Sequence, residues 1–536
     1  MSNIKKFNMK INTFIHQMVK KNNNQFFIFV SFIIFFIIGL SIFKDFGLSN
    51  DEPFQRTIGY YWLINILKKF SSNYELINQI DQKFQLMYWS EYVVNGNLLQ
   101  YGVLFDTFAA SLEEIFNINN NQDAFHLKHF LTFISFFISS IFFYKIINQR
   151  FKNHLFALLV TFFYISSPRI FAESFYNCKD IVFMSFVVIS LHYALRSFEN
   201  FSLKNIFFFS LFTAFATNVR VMGVFLFFLF LFFLFFSSLE EKRFFKKNIN
   251  KFCYLIIFYT LITFIFWPFL WESPVNNFIF ALKSFANFNM SFEIFYLGEF
   301  YNIKNLPWHY IPIWIFVTTP LIFFLFFIIG FLNVNTLFFK NFCNLSNKNR
   351  LWNNVEQKKD FFILFFFITP IFLVIFLNST LYTGWRHLYF IYPCLTYFIA
   401  LGLKFIFKET NLKTYKKMFG VIVGLSLILN IYNLIKLHPY QNIYFNFIVE
   451  HKARDYFEID YWGLGNVEAL AFLNEQIDDE KINLKVASFS PFEYSRLIHK
   501  NSSLNKFSFI GTSEKDLKYI FTNYIFDKNP KYEKKY

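Results

Sequence analysis

The sequence predicts a polytopic α-helical membrane protein with about eleven transmembrane helices. Three observations support this fold class. Of the 536 residues, 55% are hydrophobic and 91 are Phe, which is more apolar surface than a soluble domain can bury. The apolar residues form long segments separated by short polar loops. The Lys and Arg residues are concentrated in alternate loops, as expected where cytoplasmic loops are positively charged.

Each predicted span runs from one polar boundary to the next. In chain order the spans are Gln25–Phe43, Phe130–Ile147, Leu155–Ser166, Ile181–Leu195, Ile206–Val219, Val221–Leu239, Phe252–Trp271, Ile311–Leu332, Phe361–Leu377, Leu388–Phe407 and Met418–Leu437. Several are shorter than the ~20 residues that a spanning helix needs, above all Leu155–Ser166 and Ile206–Val219. The number of crossings therefore depends on these two segments.

Charge orients the chain. Several lysines precede the first apolar segment, which lacks a small-residue cleavage site and is expected to be retained as a helix. With residues 1–24 in the cytoplasm, the basic loops alternate correctly along the chain. This predicts a membrane domain at 25–437, whose first outer loop is 44–128, and an outer C-terminal domain at 438–536.

The two long outer segments have their own patterns. In the first outer loop, Ile58, Trp62, Leu63 and Phe70 recur at helical spacing, which predicts an amphipathic helix in the membrane interface. The C-terminal segment is less hydrophobic. It predicts a small α/β domain with a helix at Val467–Ile477, a strand at Lys485–Phe489 and a helix at Glu493–His499.

Composition also excludes several classes of protein. The formal charge of +16 does not indicate nucleic-acid binding, because much of the Lys and Arg lies in short loops between spans. The four cysteines are far apart and form no CxxC or Cys/His spacing, so neither a disulfide framework nor a zinc site is predicted. Phe-rich runs such as 225–236 are interpreted as lipid-facing helix.

Six clusters of charged and ring residues lie where hydrophobic segments end, and the topology places all six on the outer face. They are Asn50-Asp51-Glu52, Ser167-Pro168-Arg169 with Lys179-Asp180, Asn218-Val219-Arg220, Pro307-Trp308-His309-Tyr310, Gly384-Trp385-Arg386-His387 and His438-Pro439-Tyr440. Charge is costly in hydrocarbon, so converging helix ends of this kind predict a site.

The acids and cations suggest a chemistry. Adjacent carboxylates at Asp51 and Glu52 can supply a general base and a partner for a cation, although such a pair can also be an ordinary solvated loop end. Arg220 lies in a very short turn between two apolar helices, and an outer Arg there suits a phosphate or carboxylate. Arg386 suits the same partner. The alternative is a side chain that extends to lipid headgroups.

The ring residues allow two interpretations. Trp385 and His387 flank Arg386, and Trp308, His309 and Tyr310 precede another predicted span. Trp and Tyr at membrane ends commonly form an interfacial belt. Alternatively, their rings stack on a sugar or a polyprenyl chain while their polar atoms bind hydroxyl groups.

Together these features resemble the GT-C superfamily of glycosyltransferases. The Asp-Glu pair after the first span, the long first outer loop and the span number are similar to protein O-mannosyltransferases and lipid A aminoarabinose transferases. Three strings look like those of bacterial members: SPRIFAESFYNCKD at 167–180, YTGWRHLYF at 382–390 and HPYQNIYFN at 438–446.

The resemblance implies transfer of a sugar from a polyprenyl-phosphate donor to an acceptor of unknown identity, with inversion. It implies that Asp51 is the general base with Glu52 as support. It further implies that the donor phosphate is held by basic residues, which correspond here to Arg386, Lys179, Arg220 and Arg169. His387, Trp385, Trp308, His309, Tyr310 and Asp180 are the expected substrate-binding residues.

Partners and location follow from the same resemblance. It implies a bacterial inner membrane protein whose site faces the periplasm or exterior, surrounded by membrane lipids, and nothing in the sequence requires a metal or other cofactor. The C-terminal region does not resemble the β-trefoil of eukaryotic mannosyltransferases, which makes a protein acceptor less expected. The main alternative is a transporter or flippase of lipid-linked sugars or anions, which predicts charges near the middle of the spans. A noncatalytic membrane scaffold is the third.

Overall fold

The computed structural model describes residues 24–96, 98–240, 244–286, 291–345, 350–409, 413–476, 482–486, 492–499, 507–509 and 519–522. The α-helices are Asn24–Ile42, Glu52–Phe70, Tyr74–Gln85, Ser90–Val94, Leu104–Ile115, Asn121–Phe151, His154–Ile165, Pro168–Tyr176, Asp180–Glu199, Leu203–Thr217, Gly223–Glu240, Phe244–Ile265, Pro274–Ala286, Tyr310–Thr318, Leu321–Cys343, Val355–Phe376, Tyr392–Glu409, Lys413–Lys436, Ala453–Tyr456 and Asn466–Gln476. Short 3-10 helices lie at Pro268–Leu270, Arg386–Ile391, Gln441–Ile443, Glu450–Lys452 and Phe492–Ile498. The strands are Glu293–Tyr296, Glu299–Asn302, Ile482–Val486, Phe507–Phe509 and Tyr519–Phe521.

The chain is an integral membrane protein, and the predicted fold class is confirmed. In the described part of the chain, nine helices are long and apolar enough to cross a membrane. A tenth crossing forms if His154–Ile165 and Pro168–Tyr176, which are bent by 70° relative to each other, count as one broken span. The remaining predicted span corresponds to Leu203–Thr217, an apolar helix of 15 residues.

One predicted span is wrong as a continuous helix. The segment Ile311–Leu332 is divided into Tyr310–Thr318 and Leu321–Cys343, and the second of these helices is the candidate span. The break lies at Thr319 and Pro320. Proline has no N–H to donate and forces the preceding residue into an extended conformation, and Thr319 has ψ 135°.

Ion pairs at both ends of the bundle agree with the predicted alternation of loops. Arg150, near the end of Asn121–Phe151, forms a bidentate pair with Asp360 near the start of Val355–Phe376, at 2.8 and 2.7 Å. Lys359 beside it pairs with Glu199. These four side chains all belong to loops or helix ends predicted to be cytoplasmic. The predicted outer ends are joined separately, by the pairs of the candidate site described below.

The first outer loop is a compact helical layer that contains the predicted helix, whose place in the membrane interface stays a prediction. In Glu52–Phe70, Leu63 and Ile64 pack against Tyr74–Gln85 and Leu104–Ile115, and Ile58 packs against other residues of the same loop. The apolar stripe therefore faces protein, although Phe70 at the helix end is 72% exposed. Helical periodicity identifies a buried face without showing what covers it.

The C-terminal region contains the predicted α/β unit. Ile482–Val486 is the central strand of a parallel three-stranded sheet, between Phe507–Phe509 and Tyr519–Phe521. Leu470 of the helix Asn466–Gln476 joins Leu484 of the sheet in a small core. The predicted strand overlaps the observed one at residues 485–486, and 487–489 lie outside the described residues. The predicted helix at 493–499 is a 3-10 helix.

Candidate active site

A cavity of about 410 Å³ lies where the predicted outer helix ends meet. Its polar lining includes five residues that the sequence singles out: Asp51, Lys179, Arg220, Arg386 and His387. They come from four separate parts of the chain. Their meeting is a consequence of topology, because alternate spans return their ends to the same face of the membrane.

Arg386 lies at the start of a 3-10 helix that follows a tight turn. Gly384 in that turn has φ +65°, a conformation that favours glycine, and an added Cβ would lie 3.3 Å from the Trp314 ring. Trp385 is buried and donates its indole N–H to the Thr318 hydroxyl at 3.0 Å, so it anchors the turn and does not line the cavity. The substrate contact of Trp385 therefore stays a prediction, which its position outside the cavity lining does not support.

The Arg386 guanidinium is 2% exposed and enclosed by rings. Its central carbon lies 4.7 Å from the Tyr382 ring centroid, 5.0 Å from that of Tyr461 and 4.9 Å from that of Trp462. Its Nη1 donates to Asp51 Oδ2 at 2.8 Å. Cation–π contacts and the ion pair together fix the orientation of this group at the base of the cavity.

Asp180 joins the two arginines of the site. Its buried carboxylate pairs with Arg220 and lies 3.6 Å from Arg386 Nη1, while Asn177 donates to its second oxygen at 3.1 Å. With Lys179 counted, three cations and two carboxylates leave one net positive charge at the site. Asp180 thus contacts both arginines and is not among the residues that line the cavity, and its role in substrate binding stays a prediction.

Lys179 is held between the first outer loop and the cavity. Its ammonium group donates to the Gly102 carbonyl at 3.2 Å and lies 4.9 Å from the centroid of the Tyr101 ring. Burial lowers the pKa of Lys179, an effect that the nearby Asp106 carboxylate opposes and the Arg220 charge reinforces.

Three buried polar atoms of the site have no hydrogen-bond partner within the part of the chain that the structure describes. They are Arg220 Nε, Arg386 Nε and His387 Nδ1. Buried donors are normally satisfied, so unsatisfied ones at a cavity are typical of groups that bind a ligand. Both arginines present such a donor, which is the arrangement that an anion requires.

Much of the rest of the cavity wall is apolar, although Asn50, Gln55, Ser284, Ser379 and Thr380 also line it. Phe285, Phe292, Val374, Leu381 and Leu388 contribute to it. Phe54, Trp89, Tyr92 and Tyr101 add rings from the first outer loop. The cavity therefore combines a charged base with walls suited to hydrocarbon and to sugar rings.

Glu52 does not line the cavity, although it is adjacent to Asp51. Its buried carboxylate lies 2.9 Å from His129 Nε2 and accepts from the Ser49 backbone N–H at 2.8 Å. It thus ties the loop after the first span to Asn121–Phe151. The structure thus places Glu52 outside the cavity lining, and its support of catalysis stays a prediction.

Arg169 also lies away from the cavity. Its Nε donates to the Tyr444 carbonyl at 2.8 Å, and its guanidinium lies 4.6 Å from the centroid of the Phe445 ring. Because Pro168–Tyr176 is bent by 70° from the preceding helix, Arg169 packs against the segment after the last span. The structure therefore gives no support to the prediction that Arg169 binds the donor phosphate, and that role stays a prediction.

The cluster at 308–310 does not reach the site either. Trp308 is 68% exposed, and it and Tyr310 line a separate cavity of only about 20 Å³. His309 Nδ1 forms a hydrogen bond with the Tyr296 hydroxyl at 2.7 Å. These three residues do not line the larger cavity, and their substrate contacts stay a prediction.

The sequence analysis missed the contribution of the C-terminal region. Tyr461 lines the cavity, with its hydroxyl 3.5 Å from Asp51 Oδ1. Buried Glu458 accepts backbone hydrogen bonds from Thr383 and Gly384, and burial raises its pKa to about 7. In the sequence, this contribution is indicated by the run of acidic and aromatic residues at 458–462, which the predicted topology places in the outer C-terminal domain.

Comparisons with known proteins agree with the resemblance seen in the sequence. The family model of dolichyl-phosphate-mannose-protein mannosyltransferases matches residues 112–267. None of the curated proteins compared matches the chain. Among solved structures, apo oligosaccharyltransferase from Archaeoglobus fulgidus is similar at 13% identity and a TM-score of 0.43, over 74% of this chain and 55% of that one.

A second solved structure, ArnT from Cupriavidus metallidurans bound to undecaprenyl phosphate, is similar at 10% identity and a TM-score of 0.46, over 89% of this chain and 86% of that one. The chain spans about half the length of the oligosaccharyltransferase that it matches. Over residues 112–267, the predicted resemblance to the mannosyltransferases is confirmed.

Proposed function

We propose that this protein transfers a sugar from a polyprenyl-phosphate donor to an acceptor hydroxyl on the non-cytoplasmic face of the membrane. One observation carries the proposal. A single cavity holds a partly exposed carboxylate, Asp51, beside buried cations and an apolar wall, at the ends of membrane-spanning helices. Those are the three features that a lipid-linked phosphosugar and its attacking hydroxyl require.

The charge of the cavity suits this donor. A sugar joined to a lipid through a phosphodiester carries one negative charge, which matches the one net positive charge of the site. Arg386 and Arg220 line the cavity with guanidinium groups that would bind the phosphate oxygens, and Lys179 adds a third cation. The first isoprene units would lie along Phe285, Phe292 and the other apolar side chains of the wall.

Asp51 is positioned to act as the base. One carboxylate oxygen is held by Arg386, and the side chain is 29% exposed, so an acceptor hydroxyl can approach. The oxygen of the acceptor hydroxyl forms a bond to the anomeric carbon. Asp51 takes the proton that this hydroxyl loses. The bond from that carbon to the phosphate oxygen breaks, and its electron pair leaves with the phosphate. A single displacement of this kind inverts the anomeric centre.

The leaving group explains the excess of cations. As the bond breaks, the charge on the phosphate rises from one negative charge towards two. Arg386, Arg220 and Lys179 stabilise this developing charge more than the charge of the bound donor, which lowers the barrier. By the same proposal the site faces the periplasm or exterior of a bacterial inner membrane.

The proposal is tested with the full chain in lipid nanodiscs that contain undecaprenyl-phosphate mannose, glucose, galactose or aminoarabinose. Release of undecaprenyl phosphate is measured, because water can replace an unknown acceptor. We expect release from at least one donor and a marked loss of release in Arg220→Gln, whose side chain remains polar. A folded protein that neither binds nor consumes any of these donors would contradict the proposal and favour a transporter or a scaffold.

A further inference from the structure

A second cavity, of about 750 Å³, lies between the first outer loop and the C-terminal domain. It is lined by Tyr88, Asn119, Asn120, Asn121, Gln122, Glu493, Tyr494, Arg496, Leu497 and His499. The first five come from the outer loop and the start of Asn121–Phe151. The others come from the 3-10 helix Phe492–Ile498 and the residue after it.

The lining is polar but electrically balanced. Its cation, Arg496, donates to Glu493 Oε1 at 2.9 Å. The other polar groups are mostly side-chain amides and phenols, which donate and accept hydrogen bonds without net charge. Gln122 Oε1 is buried and has no hydrogen-bond partner among the described residues. Such a lining suits a neutral ligand that is rich in hydroxyl groups.

A path of aromatic rings joins this cavity to the reaction cavity. The centroid of the Tyr494 ring lies 4.9 Å from that of Tyr88, and the Tyr88 ring lies 5.4 Å from Trp89. Trp89 in turn lies 5.4 Å from Tyr92. Trp89 and Tyr92 both line the reaction cavity. A chain-like ligand that follows the rings would therefore connect the two cavities.

We propose that the acceptor is a saccharide chain and that the second cavity binds its sugars distant from the reacting hydroxyl. This inference rests on the proposed glycosyl transfer. Ring faces cover the C–H faces of sugars, while amides bind their hydroxyl groups. An extended peptide would use a strand edge or apolar pockets. Of the described residues that line this cavity, none belongs to a strand and Leu497 alone is aliphatic.

Saturation-transfer NMR on the full chain in nanodiscs tests the inference, with maltohexaose, cellohexaose and chitohexaose as saccharide probes. A threonine-rich decapeptide is the peptide probe. We expect binding of at least one hexasaccharide, weakened about fivefold by Tyr88→Ala, because one ring contact contributes on the order of 1 kcal/mol. Tyr88 is 56% exposed, so its loss leaves the fold intact. Gln122→Ala should weaken the same complex.

Two controls separate the outcomes. Tyr74→Ala removes a 76% exposed tyrosine of the same loop that lines neither cavity and should leave binding unchanged. Asp51→Asn should also bind the saccharide normally, so this inference can succeed even if the proposed catalysis fails. Absence of binding by all three hexasaccharides, binding that neither variant weakens, or binding of the peptide alone would overturn it.

Discussion

Replacement of Asp51 by Asn separates catalysis from donor binding. The amide oxygen of Asn can still accept the hydrogen bond from Arg386 Nη1, which Asp51 Oδ2 accepts at 2.8 Å. The variant cannot take a proton from the acceptor hydroxyl. Loss of a general base costs about 10²- to 10⁴-fold in kcat, which corresponds to about 3–5 kcal/mol of barrier. We expect kcat to fall within that range.

The donor affinity of Asp51→Asn should stay the same or rise, whereas its kcat falls. Replacing one carboxylate raises the net charge of the cavity from one positive charge to two. At an effective dielectric constant of about 40, which suits a partly exposed group, a unit charge about 6 Å from the phosphate contributes about 1.4 kcal/mol. The donor KM should therefore stay the same or fall by up to about tenfold. Because Asp51 is partly exposed, the lost ion pair should cost only about 1 kcal/mol of folding free energy.

The assay compares kcat and donor KM for wild type, Asp51→Asn and a matched control, Asp45→Asn. Asp45 is an aspartate of the same loop region, 46% exposed and 2.9 Å from His438 Nε2, and it does not line the cavity. The control should keep wild-type kinetics. If Asp51→Asn keeps kcat within about threefold of wild type, Asp51 is not the base. If kcat and donor affinity fall together, its role is to organise the site.

Three further variants have distinct expected results. Arg386→Lys keeps the charge but loses the planar fork, so the donor KM should rise about tenfold with a smaller change in kcat, measured by steady-state kinetics. Glu52→Gln weakens a buried contact with His129, and should lower the free energy of unfolding by about 2 kcal/mol while kcat per folded molecule stays within about twofold. A loss of kcat per folded molecule without a loss of stability would show that Glu52 takes part in catalysis. Burial raises the pKa of Glu458 from 4.5 to about 7, so its contribution to stability is complete below pH 4.5 and is lost as pH rises through 7, by up to about 3 kcal/mol. Glu458→Gln should make the fall in thermal stability between pH 4.5 and 8 smaller than in wild type, and a wild-type slope in the variant would contradict this assignment.

The sequence predicted which helix ends meet because hydrophobic length and loop charge determine the face of the membrane on which each end lies. Asp51, Lys179, Arg220, Arg386 and His387 line one cavity for this reason. Their chemical roles stay predictions. The same argument could not show which residue of a cluster lines the cavity, since all members of a cluster lie on the same face of the membrane.

Local backbone geometry determines which residue of a cluster lines the cavity. Asp51 and Glu52 are adjacent at the start of a helix, where successive residues point in directions about 100° apart, so one faces the cavity and the other the protein interior. The 70° bend between His154–Ile165 and Pro168–Tyr176 places Arg169 away from the cavity. Neither effect has a signal in hydropathy or charge. Helical periodicity likewise does not show that Ile58 and Leu63 pack against protein and not against lipid.

The segment after the last span shows why the outer domain and the membrane domain must be considered together. Tyr461 and Trp462 form two of the three rings around Arg386, and Glu458 holds the turn at Gly384 that precedes it. Arg386 is therefore positioned both by its own turn and by the segment after the last span. Since Tyr494 of the same outer domain also begins the ring path towards Trp89, movement of this domain would change the phosphate site and the proposed acceptor path together.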